Sequence, residues 1–360
     1  MAATTEFIII LVHIFTFFVS TNALRPTKFS SILIFGDSTV DTGNNNYILT
    51  LFKGNHYPYG RDFPGHVPTG RFSNGKLVPD FIASFLNLKD TVPPFLEPNL
   101  PDDELLSGVS FASAGSGYDE LTTAPSGVIS VSKQIEHFKS YVAKIKGIAG
   151  EDRARRILES AFVGISAGIN DFTINFYDIP TRKVEFSIAE YQDFLLKKLQ
   201  IYIKELYDLG CRKIAVVGVP PIGCLPLQIT TKLEISKDRK CLENENLDAQ
   251  LYNRKLEKLL LQTQAMLPGS RLVYADVYEP LINLINKPEN YGFEVTKKGC
   301  CGSGTFETGP FCNEITPTCE DASKYVFWDS VHLTEAAYQY IAKYVEREVL
   351  PRFLQDCANN

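Results

Sequence analysis

Positive charge is scarce where a nucleic-acid binder would concentrate it. The 36 Lys and Arg are dispersed among 42 Asp and Glu, the net charge is −6, and no basic stripe forms. A nucleic-acid partner is excluded on that pattern. The eight cysteines, at 211, 224, 241, 300, 301, 312, 319 and 357, include no Cys-x-x-Cys pair, which argues against a zinc site. No Asn-x-Ser/Thr sequon occurs, so glycosylation lends no support to secretion. Internal repeats and low-complexity linkers are absent as well. Long apolar runs are also missing. The best candidate, residues 7–19, would rise only ~20 Å as a helix against a hydrocarbon core of ~30 Å, which excludes a stable span. Thr21-Asn22-Ala23 follows it with small residues at a cleavage position. Residues 1–23 therefore read as a secretory signal peptide, although the segment carries Glu6 and lacks the usual Lys or Arg.

What is present is an ordinary globular composition, 44% hydrophobic and 22% charged. Length alone leaves one large α/β domain or two smaller ones open. Apolar runs at 31–35, 161–166, 212–219 and 271–277 read as strands, and their lack of alternation fits burial on both faces. Helical patterns lie between them. Leu195, Leu199, Ile203 and Leu206 share one face of 191–209, which Gly210 ends; Leu256, Leu259 and Leu260 do so within 247–267, before Pro268-Gly269. A last helix is expected over about 334–349. Strands alternating with helices predict a parallel sheet covered on both sides. The loops 53–76, 97–132 and 286–328 are long and polar, and are expected to shape a cleft.

Phe35-Gly36-Asp37-Ser38 follows the first apolar run directly, so a strand ends in a tight loop bearing a serine. Open parallel sheets bind ligands at such carboxyl ends. A serine hydroxyl nevertheless needs a base before it attacks anything. Asp329-Ser330-Val331-His332 offers one. Spaced three apart, Asp329 and His332 meet within one turn, the carboxylate orienting an imidazole that takes the serine proton. The same stretch also suits a plain helix start, with Asp329 or Thr334 as its cap. Acyl transfer further requires donors aimed at the developing oxyanion. The small-residue run 110–117 and Gly168-Ile169-Asn170-Asp171, with the Asn170 amide, both offer them; each alone also reads as an ordinary turn.

Together and in this order, the four segments resemble the GDSL esterase/lipase family, also called SGNH hydrolases, in its plant secreted branch. Pro68-Thr69-Gly70-Arg71-Phe72-Ser73-Asn74-Gly75, Gly218-Val219-Pro220-Pro221-Ile222-Gly223-Cys224 and Tyr325-Val326-Phe327-Trp328-Asp329 extend the likeness over nearly the whole chain after residue 23. The resemblance implies Ser38 as nucleophile, His332 as base and Asp329 as its orienting acid. It implies an oxyanion hole made by the Ser38 and Gly115 N–H groups and the Asn170 side chain. The implied fold is a flavodoxin-like three-layer α/β/α sandwich around a parallel sheet of about five strands. It would form a single domain over 24–360, with no cofactor and no metal. Ser110 stands where plant members commonly carry Asn, so altered loop hydrogen bonding is expected there. Ala114 replaces a frequent Gly, which leaves Gly115 as the donor carried over.

Gly164-Ile165-Ser166-Ala167-Gly168 fits the Gly-x-Ser-x-Gly elbow of another hydrolase class. That elbow needs a helix directly after the serine, and residues 169–175 are a poor helix start. Ser166 is therefore set aside. Asp37 and Asp41 are expected to hold the serine loop, Arg71 to pair with an acidic loop residue, and His56 and His66 to face solvent. Residues 172–186 read as ordinary packing ahead of an apolar cleft edge. Adjacent Cys300 and Cys301 each need a distant partner, with Cys312 and Cys319 nearest, and Cys224 with Cys241 suits a surface loop. The expected protein is a secreted serine esterase or lipase that cleaves small-molecule, lipid or polymer esters through an acyl-enzyme. Acyl transfer to an alcohol, polysaccharide deacetylation and a catalytically silent binding role are the alternatives.

Overall fold

A computed structural model describes residues 29–232 and 239–353. The signal-peptide segment and Cys357 lie outside the described residues. Four strands, β1 (Ile32–Gly36), β2 (Phe162–Ser166), β3 (Lys213–Val217) and β4 (Arg271–Ala275), pair in parallel in that order. Three fall inside the expected apolar runs and β1 extends one residue past its own, to Gly36; β1 is buried at every position, as expected for a strand covered on both faces. The fifth place is taken by an irregular stretch. Beyond β1, the Ile34 N–H donates to Val109 O at 3.1 Å and the Phe111 N–H to Ile34 O at 2.7 Å. Ser110 in turn bridges to Pro94, and proline has no N–H with which to extend a ladder.

Among the described residues, seven α-helices of eight or more residues surround this sheet: α1 (Val78–Phe85), α2 (Val131–Ala149), α3 (Glu151–Ser160), α4 (Ile188–Asp208), α5 (Glu243–Met266), α6 (Tyr278–Asn286) and α7 (Glu335–Glu348). Neighbouring contacts run α2 to α4 to α5 in one layer and α1 to α7 to α6 in the other. The result is the three-layer arrangement. The expected face of α4 is buried through Leu195, Leu199, Ile203 and Leu206. Its start is fixed by Ser187 and Glu190, which cap one another's backbone N–H groups.

Three stretches depart from the sequence reading. Residues 97–132 carry two short helices, Asp102–Ser107 and Glu120–Thr123, before α2 begins. Within 286–328, β5 (Val295–Gly299) and β6 (Tyr325–Phe327) form a separate two-stranded parallel sheet. Two disulfides, Cys300–Cys319 and Cys301–Cys312, staple this region, and Cys224–Cys241 closes its own loop. Among the described residues, Cys211 has no disulfide partner and is buried. After β2, residues 169–170 are helical and lead into a wide π-helix, Asp171–Asp178. A helix therefore starts where propensity argued against one, because Phe172 and Phe176 are buried there and tertiary packing overrides propensity.

Candidate active site

The carboxyl ends of the strands converge on Ser38. Gly36 closes β1 at φ +141°, and a Cβ there would lie 1.9 Å from Ser166 O. Only glycine lets the chain turn this close to β2. The next residues are tied down at once. The Asp37 N–H donates to Ser166 O at 2.9 Å, and Asp37 Oδ1 accepts from the Thr39 N–H and hydroxyl at 3.0 and 2.8 Å. Thr39 Oγ1 also lies 2.9 Å from Ser166 Oγ. Ser166 is thus a strut under the Ser38 loop.

His332 reaches Ser38 from the other end of the chain. Its Nε2 lies 2.8 Å from Ser38 Oγ, and its Nδ1 lies 2.7 Å from Asp329 Oδ2. Ser38 is 7% exposed, His332 6% and Asp329 0%. With Nδ1–H donating to the carboxylate, Nε2 is the nitrogen left to accept the serine proton. Asp329 Oδ1 accepts the Val331 and His332 N–H groups at 2.8 and 2.7 Å. Burial pushes the Asp329 carboxyl up, but His332, the Tyr59 hydroxyl and these N–H donors outweigh it and hold it below its ordinary value. Thr334 does cap α7, accepting from the Ala337 N–H, so the helix-start reading and the reactive pair coexist.

Three supports were not legible in the sequence. Tyr59 donates its hydroxyl to Asp329 Oδ2 at 2.6 Å and accepts the Gly309 N–H at 2.8 Å. Thr308 donates to the same oxygen at 3.1 Å. The Phe72 ring packs on His332 with centroids 4.8 Å apart. All three come from the long loops at 53–76 and 286–328. Behind them Tyr59, Phe72, Trp328 and the cysteines 300, 301 and 312 form a small apolar cluster of their own.

The oxyanion candidates meet on the remaining side. Gly115, at φ +85°, and Asn170 line the same cavity of about 400 Å³ as Ser38 and His332. Among the described residues, neither the Ser38 nor the Gly115 N–H is consumed by a hydrogen bond. Asn170 Nδ2 gives one hydrogen to Ser116 O at 2.9 Å and keeps the other. The Gly115 loop is riveted to the Ser38 loop. Asp41 Oδ2 accepts the Ala114 N–H at 3.0 Å. Asn44 donates to Ser110 O and Ala112 O, and Asn45 to Ala114 O. Asp171 accepts the Tyr118 and Asp119 N–H groups. Ser110 donates its hydroxyl to Val40 O at 3.1 Å. Burial pushes Asp37 and Asp41 up to about 6 and Asp171 up to about 7, against the lowering effect of these donors.

Sequence comparison shows the family. The family described as GDSL-like Lipase/Acylhydrolase matches residues 32–345. The chain belongs to that family. Lipases and acylhydrolases cleave ester bonds, so the GDSL protein described here is a hydrolase of that class. It is similar to two GDSL esterase/lipases of Arabidopsis thaliana. At2g30310 is 54% identical over 333 residues, covering 92% of both chains. At2g30220 is 52% identical over 339 residues, covering 93% of this chain and 94% of the relative.

The other singled-out residues fall outside the reacting cluster. Arg71 is buried against Asp80, with contacts of 2.9 and 2.7 Å, and this partner sits in the first turn of α1 rather than in a loop. His66 is exposed, whereas His56 is half-buried and bonds to Lys53 O. Phe176 stacks on Tyr191 while Thr173 and Ile174 line the cavity, so the 172–186 segment both packs and faces the cleft. Among the described residues, no group of three or more His, Cys, Asp or Glu side chains could hold a metal ion. No described helix is long and apolar enough to cross a membrane.

Proposed function

We propose that this GDSL protein is a secreted serine esterase or lipase working through an acyl-enzyme. The observation that carries the reading is the unbroken hydrogen-bonded chain Ser38–His332–Asp329, 2.8 and 2.7 Å per link, opening onto a cavity that Gly115 and Asn170 line. Ser38 Oγ attacks the ester carbonyl as its proton passes to His332 Nε2. The Ser38 and Gly115 N–H groups and the Asn170 amide receive the oxyanion. Collapse breaks the bond to the alcohol, which leaves with the proton from His332; water then repeats the sequence and releases the acid. Asp329 stays ionised throughout and stabilises the imidazolium. Three disulfides support an oxidising compartment, in keeping with the leading segment.

The test compares two serines. Ser38→Ala should lower turnover of a p-nitrophenyl ester by roughly 10⁴ or more and abolish labelling by a fluorophosphonate. Ser166→Ala should keep the labelling. A Ser38→Ala protein with undiminished turnover would remove the mechanism. Secretion is tested separately, by sequencing the amino terminus of the protein recovered from culture medium; a start at Leu24 is expected.

A further inference from the structure

Two apolar compartments meet at Ser38, and their walls differ in one chemically decisive respect. Both include Ser38, Ile169, Asn170 and Leu225. The larger, about 400 Å³, is also lined by His332 and Gly115. The smaller, about 110 Å³, is lined by neither. We propose that the ester is divided between them, the acyl chain entering the compartment that His332 does not line and the alcohol occupying the one it does. This rests on Ser38 and His332 acting as described above.

The argument is the geometry of a tetrahedral carbon. Once Ser38 Oγ is bonded to it, three substituents remain to be placed. The oxyanion takes the Gly115 and Asn170 side. The departing alcohol oxygen must come within hydrogen-bond reach of His332 Nε2, because the proton that Ser38 gave up returns from there as the carbon–oxygen bond breaks. The alcohol therefore lies in the compartment that His332 lines. Of the two compartments, the smaller touches Ser38 without His332 or Gly115, and it takes the acyl carbons.

Its walls suit them. Val219 follows β3, Val277 follows β4, Leu281 projects from α6, Leu333 precedes α7, and Ile341 and Val345 lie on α7. The chamber thus lies between the strand ends and the α1–α7–α6 layer. Of the polar side chains that line it, Asp37, Thr39 and Ser166 are bonded to one another. The ligand class is a straight aliphatic acyl chain.

The experiment measures kcat/KM for p-nitrophenyl esters from acetate to dodecanoate, and for octanoates of alcohols of increasing size. In the wild type, kcat/KM should rise roughly fourfold per methylene until the chamber is full. Val277 is half-buried, so Val277→Phe extends a ring into the chamber and should lower the octanoate-to-acetate ratio by about tenfold. Leu281→Ala, checked by its melting curve, should instead carry the optimum to longer acids. Ile174→Trp, in the larger compartment, should reorder the alcohols and leave the acyl optimum in place. The proposal is overturned if Val277→Phe and Leu281→Ala keep the wild-type acyl profile, or if Ile174→Trp alone shifts it. A wild type that hydrolyses none of these esters, and whose Ser38 no fluorophosphonate labels, is a different failure: it removes the esterase assignment itself.

Discussion

The Ser38 half of the site and the His332 half are braced by different chemistry. Around Ser38 the bracing is a buried hydrogen-bond lattice: Asp37 and Asp41 in the loop, and Asn44 and Asn45 reaching into the Gly115 segment. Around His332 it is covalent and aromatic. Disulfides at Cys300 and Cys301 clamp the strand region ahead of Asp329, and Tyr59, Phe72 and Trp328 fill the space behind it. The first half is indifferent to reductant, whereas the second depends on an oxidised chain. Their responses to acid also have opposite signs. Asp37, Asp41 and Asp171 titrate higher in the fold than unfolded, so each contributes stability at acid pH that is lost as pH rises through about 6 to 7. Asp329 is held low, so its contribution is present above the ordinary carboxylate pKa and lost as pH falls.

The largest expected effect that separates the halves is chemical. Asn170→Ala, on the Ser38 side, should lower kcat by roughly 10²–10³ with KM and melting temperature little changed; an equal loss of stability would make Asn170 a brace rather than a donor. On the other side, Cys301→Ser with Cys312→Ser should cost about 2–4 kcal/mol of stability, read by chemical denaturation. Hydrogen exchange should rise around 300–332 and remain slow at 37–46, and a uniform rise would dissolve the distinction. Tyr59→Phe is a finer cut. Deleting a donor to a buried carboxylate should lower kcat/KM by about tenfold and move the acid limb of its pH profile upward, because Asp329 is then less well stabilised as the anion. The smallest effect is on stability alone. Asp41→Asn should flatten the decline of melting temperature between about pH 4 and pH 7, with a lower plateau because the amide cannot accept the three N–H groups that Asp41 now serves.

Much of this was legible because the decisive signals are local. Strands buried on both faces print as unbroken apolar runs, and the loops that follow β1 and β2 carry Ser38 and Asn170 within four residues of the strand. Asp329 and His332 are legible for the same reason, being one turn apart. Tyr59, Phe72 and Thr308 carry no such mark. They join the site only because loops more than 200 residues apart in sequence fold onto each other, and no spacing rule encodes that meeting. The helix after β2 leaves no mark in local propensity, because Phe172 and Phe176 supply its stability through tertiary burial, which a propensity scale does not contain. Ser166 shows the opposite hazard: its motif is locally convincing, yet its hydroxyl is occupied by Thr39.

Asp329 has no freedom left. Four partners besides the imidazole, two N–H groups and two hydroxyls, occupy its oxygens, so the ring it grips is locked against flipping end for end. The fold therefore enforces the tautomer with the proton on Nδ1, which leaves Nε2 facing Ser38. The imidazole needs no rearrangement to meet the Ser38 hydroxyl.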